Sequence, residues 1–159
     1  MYPNTRIDKI SLVNFKNHLN TNLINLNSFV VLNGNNGSGK TNILEAISLF
    51  SPGRGIKNSS FVEMLNKDRG RENFEIKLNV KYDTGEVELF RSFSSVEKNK
   101  NYISVDNEKI TNYQLLEFIN ILWITPIIEK VLIQSNSEKR NFFDRLIFNI
   151  NKSHLKNYA

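Results

Sequence analysis

The first part of the chain alternates apolar and polar residues with the period of two that is typical of half-buried strands. This pattern covers Arg6 to Phe15 and Leu19 to Leu26, and the two segments meet near Lys16, Asn17 and His18. The spacing predicts two strands joined by a short turn.

A second alternating region begins at Phe74 and continues to Tyr82. Asp83, Thr84 and Gly85 then supply a turn, and Glu86 to Phe93 returns with the same period. Tyr102 to Val105 predicts one more strand after a polar loop. Together these segments predict an antiparallel meander.

Between the two alternating regions lies a short apolar run, Ser28 to Leu32, which predicts a buried strand. Thr41 to Phe50 carries apolar residues at helical spacing and predicts an amphipathic helix. The glycine-rich segment between them, from Gly34 to Thr41, therefore connects a predicted strand to a predicted helix.

The remaining elements are predicted from caps, breakers and helical spacing. They are a short helix near Phe61 to Leu65 capped by Asn58, Ser59 and Ser60, a capped helix from Thr111 to Ile121, a strand from Leu122 to Thr125, and a helix from Ser137 to Ile150.

Composition limits the class of protein. The chain has 159 residues, of which 40% are hydrophobic, and it contains no cysteine, so we expect an ordinary cytoplasmic domain with neither disulfides nor thiolate metal sites. No segment is apolar enough to predict a membrane span. The net charge of +5 suits a polyanionic partner, although solvation of the surface by basic residues explains it equally well.

The segment Gly34 to Thr41 has the spacing of a phosphate-binding P-loop. Its glycines let backbone N–H groups converge on phosphate oxygens, Lys40 places an ammonium on the β and γ phosphates, and the Thr41 hydroxyl ligates Mg²⁺. The alternative is a glycine-rich turn that only caps a helix. The predicted residues that bind the cofactor ATP are Gly34, Asn35, Asn36, Gly37, Ser38, Gly39, Lys40 and Thr41.

Efficient hydrolysis in this class needs an acidic residue at the end of a second buried strand. The apolar runs that qualify end instead in Gln134, in Thr125 followed by Pro126, and in Asn149. No catalytic residue is therefore predicted in this chain.

Several segments, taken in order, resemble the N-terminal lobe of the bacterial RecF family of recombination and repair proteins. They are Asn14 to His18, Gly34 to Ile47, Ser51 to Gly55, Leu122 to Pro126 and Ser137 to Leu146. The resemblance implies an α/β fold: a P-loop ABC-type ATPase head lobe, with a mixed sheet around the Walker A helix and an inserted antiparallel β-meander. It also implies that residues 1–150 form this lobe and that residues 151–159 begin a helical arm and are truncated.

The same resemblance implies a function. RecF-like proteins bind ATP with Mg²⁺, dimerise when ATP is bound, bind single-stranded and gapped or junction DNA, and act with RecR and RecO to load RecA. They support DNA replication restart, DNA damage repair and the SOS response. We expect weak ATPase activity in the full-length family, and ATP binding without efficient hydrolysis in this chain.

Three positions depart from the family pattern, since Lys16 stands where arginine is common, Leu122 where a glutamine is frequent and Ile127 where an acid is frequent. Two other functions stay open: a P-loop phosphotransferase that acts on a small molecule, and a non-catalytic remnant. A basic group is predicted to contact DNA phosphates or, alternatively, only to solvate the surface; it comprises Arg54, Lys57, Lys67, Arg69 and Arg71.

Overall fold

A computed structural model describes residues 5–66 and 70–126, together with Lys139, Arg140, Phe143 and Ile147. Most of the described elements are strands. The strands are β1 (Arg6–Phe15), β2 (His18–Leu23), β3 (Asn73–Tyr82), β4 (Gly85–Ser94), β5 (Lys100–Val105) and β6 (Glu108–Lys109). Helix α1 spans Lys40–Ser48, and two short 3₁₀ helices span Phe61–Met64 and Gln114–Glu117.

The strands form a single sheet in the order β2-β1-β3-β4-β5-β6. Each described pair is antiparallel, and β1 joins the two predicted hairpins by pairing with β3, from Arg6 opposite Lys81 to Val13 opposite Glu75. The predicted hairpins are confirmed. This part of the sheet is antiparallel throughout rather than mixed.

The inner face of the sheet carries the core, because alternate residues of β1, β3 and β4 are buried. Phe74 lies at its centre, edge-to-face with Phe15 at 5.2 Å between ring centroids and 5.9 Å from Phe93. Helix α1 packs Ile43 and Ala46 into the same core. The sheet therefore holds the helix that follows the glycine-rich loop.

The predicted buried strand Ser28 to Leu32 is wrong for the described structure. The segment has no regular secondary structure, and the side chains of Phe29 and Val31 are 84% and 72% exposed. A short apolar run becomes a strand only when another strand lies beside it, and no described strand pairs with this one. The loop thus follows an irregular, solvent-facing segment.

Two later predictions are also wrong. The capped helix from Thr111 to Ile121 shrinks to the single 3₁₀ turn Gln114–Glu117, whose N-cap residue is Tyr113 and which has no side-chain cap. Thr111 lies before the turn and donates from its N–H and hydroxyl to Gln114 Oε1. Leu122 to Thr125 forms no strand, and Ile124 is 77% exposed. The short helix near Phe61 is confirmed, with Ser60 and Glu63 forming a capping box.

The predicted helix from Ser137 to Ile150 lies mostly outside the described residues. Lys139, Arg140, Phe143 and Ile147 are helical, and Phe143 is 48% exposed, so it does not belong to the described core. The proposed arm at 151–159 also lies outside the described residues. The division at residue 150 therefore stays a prediction.

Candidate nucleotide-binding site

The glycine-rich loop meets α1 through two glycines in the left-handed region. Gly37 has φ 83° and Gly39 has φ 95°, a conformation that side chains with a Cβ rarely adopt. Gly39 is the N-cap residue of α1, and no side chain caps the helix end there. The first N–H groups of α1, which have no partner inside the helix, are therefore available to an anion.

Lys40 reaches back across the loop. Its Nζ atom donates to the carbonyl oxygens of Gly34 and Asn35, at 2.7 Å in each case. An ammonium has three donors, so one remains for a further acceptor. The lysine thus places its positive charge within the curve of the loop.

The other predicted loop residues lie on the surface. Asn35, Asn36, Ser38 and Thr41 are exposed, so solvent and solutes can reach the whole segment from Gly34 to Thr41. The loop is internally ordered by two turns: the Gly34 N–H donates to Asn33 Oδ1 at 2.9 Å, and the Ser38 N–H donates to the Asn35 carbonyl at 3.2 Å.

The Thr41 hydroxyl is an oxygen ligand of the kind that Mg²⁺ accepts, and Mg²⁺ in such sites takes its other ligands from phosphate and water. The part of the chain that the structure describes contains no cluster of three or more His, Cys, Asp or Glu side chains able to hold a metal. A metal at Thr41 would therefore depend on a bound phosphate.

The loop is also contacted by the β1–β2 turn, which comprises Lys16, Asn17 and the first residue of β2, His18. Asn17 Nδ2 donates to the Gly37 carbonyl at 3.1 Å, and His18 Nε2 lies 3.1 Å from the Gly39 carbonyl oxygen. A carbonyl only accepts, so His18 carries a proton on Nε2, while its Nδ1 shares a hydrogen bond with the Thr21 hydroxyl at 2.9 Å. His18 is buried by these contacts.

Glu45 on α1 is fully buried and forms two ion pairs. Lys16 Nζ lies 2.9 Å from one carboxylate oxygen, and Lys57 Nζ lies 3.2 Å from the other. Neither oxygen makes a well-aligned hydrogen bond, so the contacts are chiefly ionic. Glu45 joins three segments: the β1–β2 turn, α1 and the chain that follows Gly55.

The segment that follows α1 is tied to the helix by Ser48. The Ser48 hydroxyl donates to the Glu45 carbonyl at 2.7 Å and accepts from the Ile56 N–H at 2.9 Å. A Cβ on Gly55, which has φ 71°, would lie 2.6 Å from the Ser48 oxygen. This close approach explains why glycine follows Arg54.

The structure divides the predicted basic group. Lys57 is engaged with Glu45 and with Asn42 Oδ1, whereas Arg54 and Arg71 are exposed. Lys67 and Arg69 lie outside the described residues. Lys57 is exposed as well, but its charge is paired with Glu45, so Arg54 and Arg71 are the described members of the group that form no ion pair with another described residue.

The roles of Asn17, His18 and Glu45 are not predicted by the sequence pattern. One signal was present, since Glu45 precedes Ala46 on the buried side of α1, where a carboxylate needs a cationic partner. The contacts of Asn17 and His18 join residues about twenty positions apart and left no periodic trace. The sequence marks Lys16 only as a departure from the family pattern and does not predict its ion pair with Glu45.

Comparison with known families identifies the domain. The family described as "AAA ATPase domain" matches residues 6–158. The chain belongs to this family. Its ATPase-domain fold, expected from the loop and from the resemblance, is confirmed.

The similarity to RecF is also confirmed. The chain is 34% identical over 151 residues to the DNA replication and repair protein RecF of Rickettsia prowazekii, and 34% identical to that of Rickettsia massiliae. The match covers 95% of the chain and 41% of each relative. The chain thus spans about two fifths of the length of the curated relatives it matches.

Solved structures show the same architecture. The recombination mediator protein RecF with ATP, in the RecFOR pathway, superposes with a TM-score of 0.82 at 25% identity and covers 99% of this chain and 42% of that one. An SMC ATPase structure from a study of ATP-driven dimerisation and DNA-stimulated activation gives 0.63 at 22% identity, over 88% of this chain and 98% of that one. The second similarity concerns the fold alone.

The helices that the structure describes include none that is long and apolar enough to cross a membrane.

Proposed function

We propose that this domain binds ATP at Gly34 to Thr41 as part of a RecF-like DNA repair ATPase. The observation that carries the proposal is the loop itself, in which Lys40 curves over two carbonyls while the uncapped start of α1 presents N–H groups. The partial positive charge of a helix N-terminus and the ammonium both favour phosphate. The matched family and the RecF structure with ATP support this choice.

Mg²⁺ is part of the proposal. Bound beside the Thr41 hydroxyl and the phosphates, it would neutralise charge on the triphosphate. The rest of the binding is supplied by the chain: Lys40 by charge, and the amides at the start of α1 by donation.

We propose that this domain on its own hydrolyses ATP poorly. Glu45 is the single buried carboxylate among the described residues, and Lys16 and Lys57 neutralise it. A carboxylate held in two ion pairs at this buried position is not free to orient a water molecule. Hydrolysis then requires an acidic group and a partner surface that the described residues do not supply.

The wider role is proposed from the relatives. A RecF-like protein would dimerise with ATP in the cytoplasm, bind single-stranded and gapped DNA, and cooperate with RecR, RecO and RecA in replication restart and the SOS response. The name and ATPase domain of the relatives support DNA repair and nucleotide binding in general terms. Arg54 and Arg71, which belong to the predicted basic group, are exposed and available for DNA phosphates.

Calorimetric titration of the chain with ATP and Mg²⁺ tests the proposal. Lys40→Ala removes a charge-assisted contact and is expected to weaken binding roughly ten- to a hundredfold. Lys98→Ala changes an exposed lysine in the β4–β5 loop and serves as the matched control, with unchanged affinity expected.

Undiminished binding by Lys40→Ala would place the nucleotide somewhere other than the loop. A wild-type chain that binds no ATP would favour the non-catalytic alternative.

A further inference from the structure

The β1–β2 turn holds the phosphate loop by two of its carbonyl groups. Asn17 donates to the Gly37 carbonyl and His18 donates to the Gly39 carbonyl, each at 3.1 Å. Both glycines have positive φ, where the backbone is least restrained by side chains. These contacts therefore restrain the two residues of the loop whose backbone has the greatest conformational freedom.

A carbonyl that is held fixes the next amide as well. In a trans peptide the C=O of one residue and the N–H of the following residue point in opposite directions. The Gly39 carbonyl accepts from His18 and from the N–H groups of Asn42 and Ile43, at 2.8 and 3.1 Å. Its position fixes the Lys40 N–H on the other side, toward the open end of α1.

The same reasoning applies one peptide earlier. With the Gly37 carbonyl held by Asn17, the Ser38 N–H points away from the β1–β2 turn and donates to the Asn35 carbonyl inside the loop at 3.2 Å. Rotation of either peptide would turn a carbonyl oxygen toward a bound phosphate and repel it. The turn thus selects the loop shape in which both carbonyls face away from the phosphate.

Asn17 is itself fixed by its neighbours. Its Oδ1 accepts from Asn42 Nδ2 at 2.9 Å, and Asn42 Oδ1 accepts from Lys57 Nζ at 3.2 Å. Lys57 also pairs with the buried Glu45. A continuous polar network therefore extends from the carboxylate on α1 to the loop carbonyl.

The contact is also tight. A Cβ added to Gly39 would lie 2.4 Å from His18 Nε2 and 2.7 Å from Asn17 Oδ1, whereas one added to Gly37 would meet nothing within 4 Å. The turn and the loop are in direct contact at Gly39. Substitution there must displace one of them.

We propose that Asn17 and His18 are positioning residues of the nucleotide site, which hold the Gly37 and Gly39 carbonyls away from the triphosphate and direct the Lys40 amide toward it. The inference rests on the proposed ATP-binding function. The two side chains contact the loop at Gly37 and Gly39, where phosphate groups rather than the nucleoside would bind. Their loss should therefore lower the affinities for inorganic triphosphate and for ATP by the same factor.

The test measures the affinity of the whole chain for ATP and for inorganic triphosphate, each with Mg²⁺, together with the thermal midpoint. Asn17→Ala removes one neutral hydrogen bond to the loop and is expected to lower both affinities about three- to tenfold. His18→Ala should act similarly. His18→Gln, whose amide donates from a comparable position, should regain most of the loss.

Asn22→Ala is the matched control, since Asn22 lies on β2 and donates to Asn20 rather than to the loop. Its affinities should equal those of the wild type. Should His18→Ala fail to fold, Asn17→Ala, whose contact with the loop is exposed, decides the question.

Wild-type affinity in a folded Asn17→Ala variant overturns this inference and leaves the proposed function intact. A loss for ATP but not for inorganic triphosphate also overturns it. No binding by the wild type refutes the proposed function and this inference with it.

Discussion

The antiparallel sheet and the segment that leads into the glycine-rich loop both carry large apolar side chains, but the surroundings of those side chains differ. Phe74 on β3 is fully buried among Phe15, Phe61 and Phe93, whereas Phe29 is 84% exposed. The difference shows that an apolar side chain stabilises this domain only where a neighbouring element covers it. The inner face of the sheet is covered by other elements, whereas the side chains of Phe29 and Val31 before the loop are left exposed.

The largest expected effect tests this difference directly. Phe74→Ala should lower the free energy of unfolding by about 3–5 kcal/mol, because it removes a buried ring and leaves a cavity. Phe29→Ala, at an exposed position, should change it by less than about 0.5 kcal/mol. Urea denaturation of both variants provides the measurement, and equal losses would mean that Phe29 is packed.

The sheet also buries one charged side chain, Arg91, among the described residues of β4. Arg91 is fully buried on β4, where its Nη2 donates to Asn112, its guanidinium lies 5.7 Å from the Phe61 ring centroid, and its Nε has no hydrogen-bond partner among the described residues. Burial lowers the pKa of Arg91 to about 10, which leaves it charged at neutral pH.

A buried charge of this kind contributes volume more reliably than electrostatic stability. Arg91→Ala should therefore cost about 2–4 kcal/mol of unfolding free energy, and Arg91→Met, which keeps the volume, should recover most of it. Denaturation curves of the two variants decide the matter. Equal losses in both would show that the charge itself stabilises the sheet.

Gly39 lies where the β1–β2 turn contacts the glycine-rich loop. Gly39→Ala should lower ATP affinity about tenfold or more, because the new Cβ would contact His18 and Asn17 at 2.4 and 2.7 Å and the residue has φ 95°. Gly37→Ala, which meets no neighbour, adds only backbone strain and should lose less. Titration with ATP compares them, and the reverse order would mean that the turn does not constrain the loop.

The smallest expected effect concerns DNA. If Arg54 and Arg71 each contact one phosphate, the slope of log affinity against log salt should decrease by about 0.9 for each arginine replaced by alanine. Lys109→Ala, on the exposed strand β6, is the control. Fluorescence anisotropy with gapped DNA at several salt concentrations provides the slopes, and unchanged slopes would remove these arginines from the DNA-binding surface.

The sequence predicted the hairpins well because each partner strand lies nearby in the chain and each buries one face. The runs from Ser28 to Leu32 and from Leu122 to Thr125 were predicted wrongly for a physical reason. A short apolar run has no periodicity of its own and becomes a strand only beside another strand. No described strand pairs with either run.

The site was predictable in part. The spacing from Gly34 to Thr41 marks the loop and the start of α1 from local sequence alone. The support given by Asn17 and His18, and the pairing of Glu45 with Lys16 and Lys57, depend on contacts between distant segments. Those contacts follow from the sheet that brings the β1–β2 turn against α1, and no local pattern encodes them.

We infer that the sheet holds a phosphate-binding loop in place through the β1–β2 turn. Amide chemical shifts of the nitrogen-labelled chain, recorded during titration with ATP and Mg²⁺, test it most directly. We expect changes at Gly37 to Thr41 and smaller ones at Asn17 and His18, with β3 and β4 unaffected. Changes confined to the sheet, with the loop amides unmoved, would contradict the account.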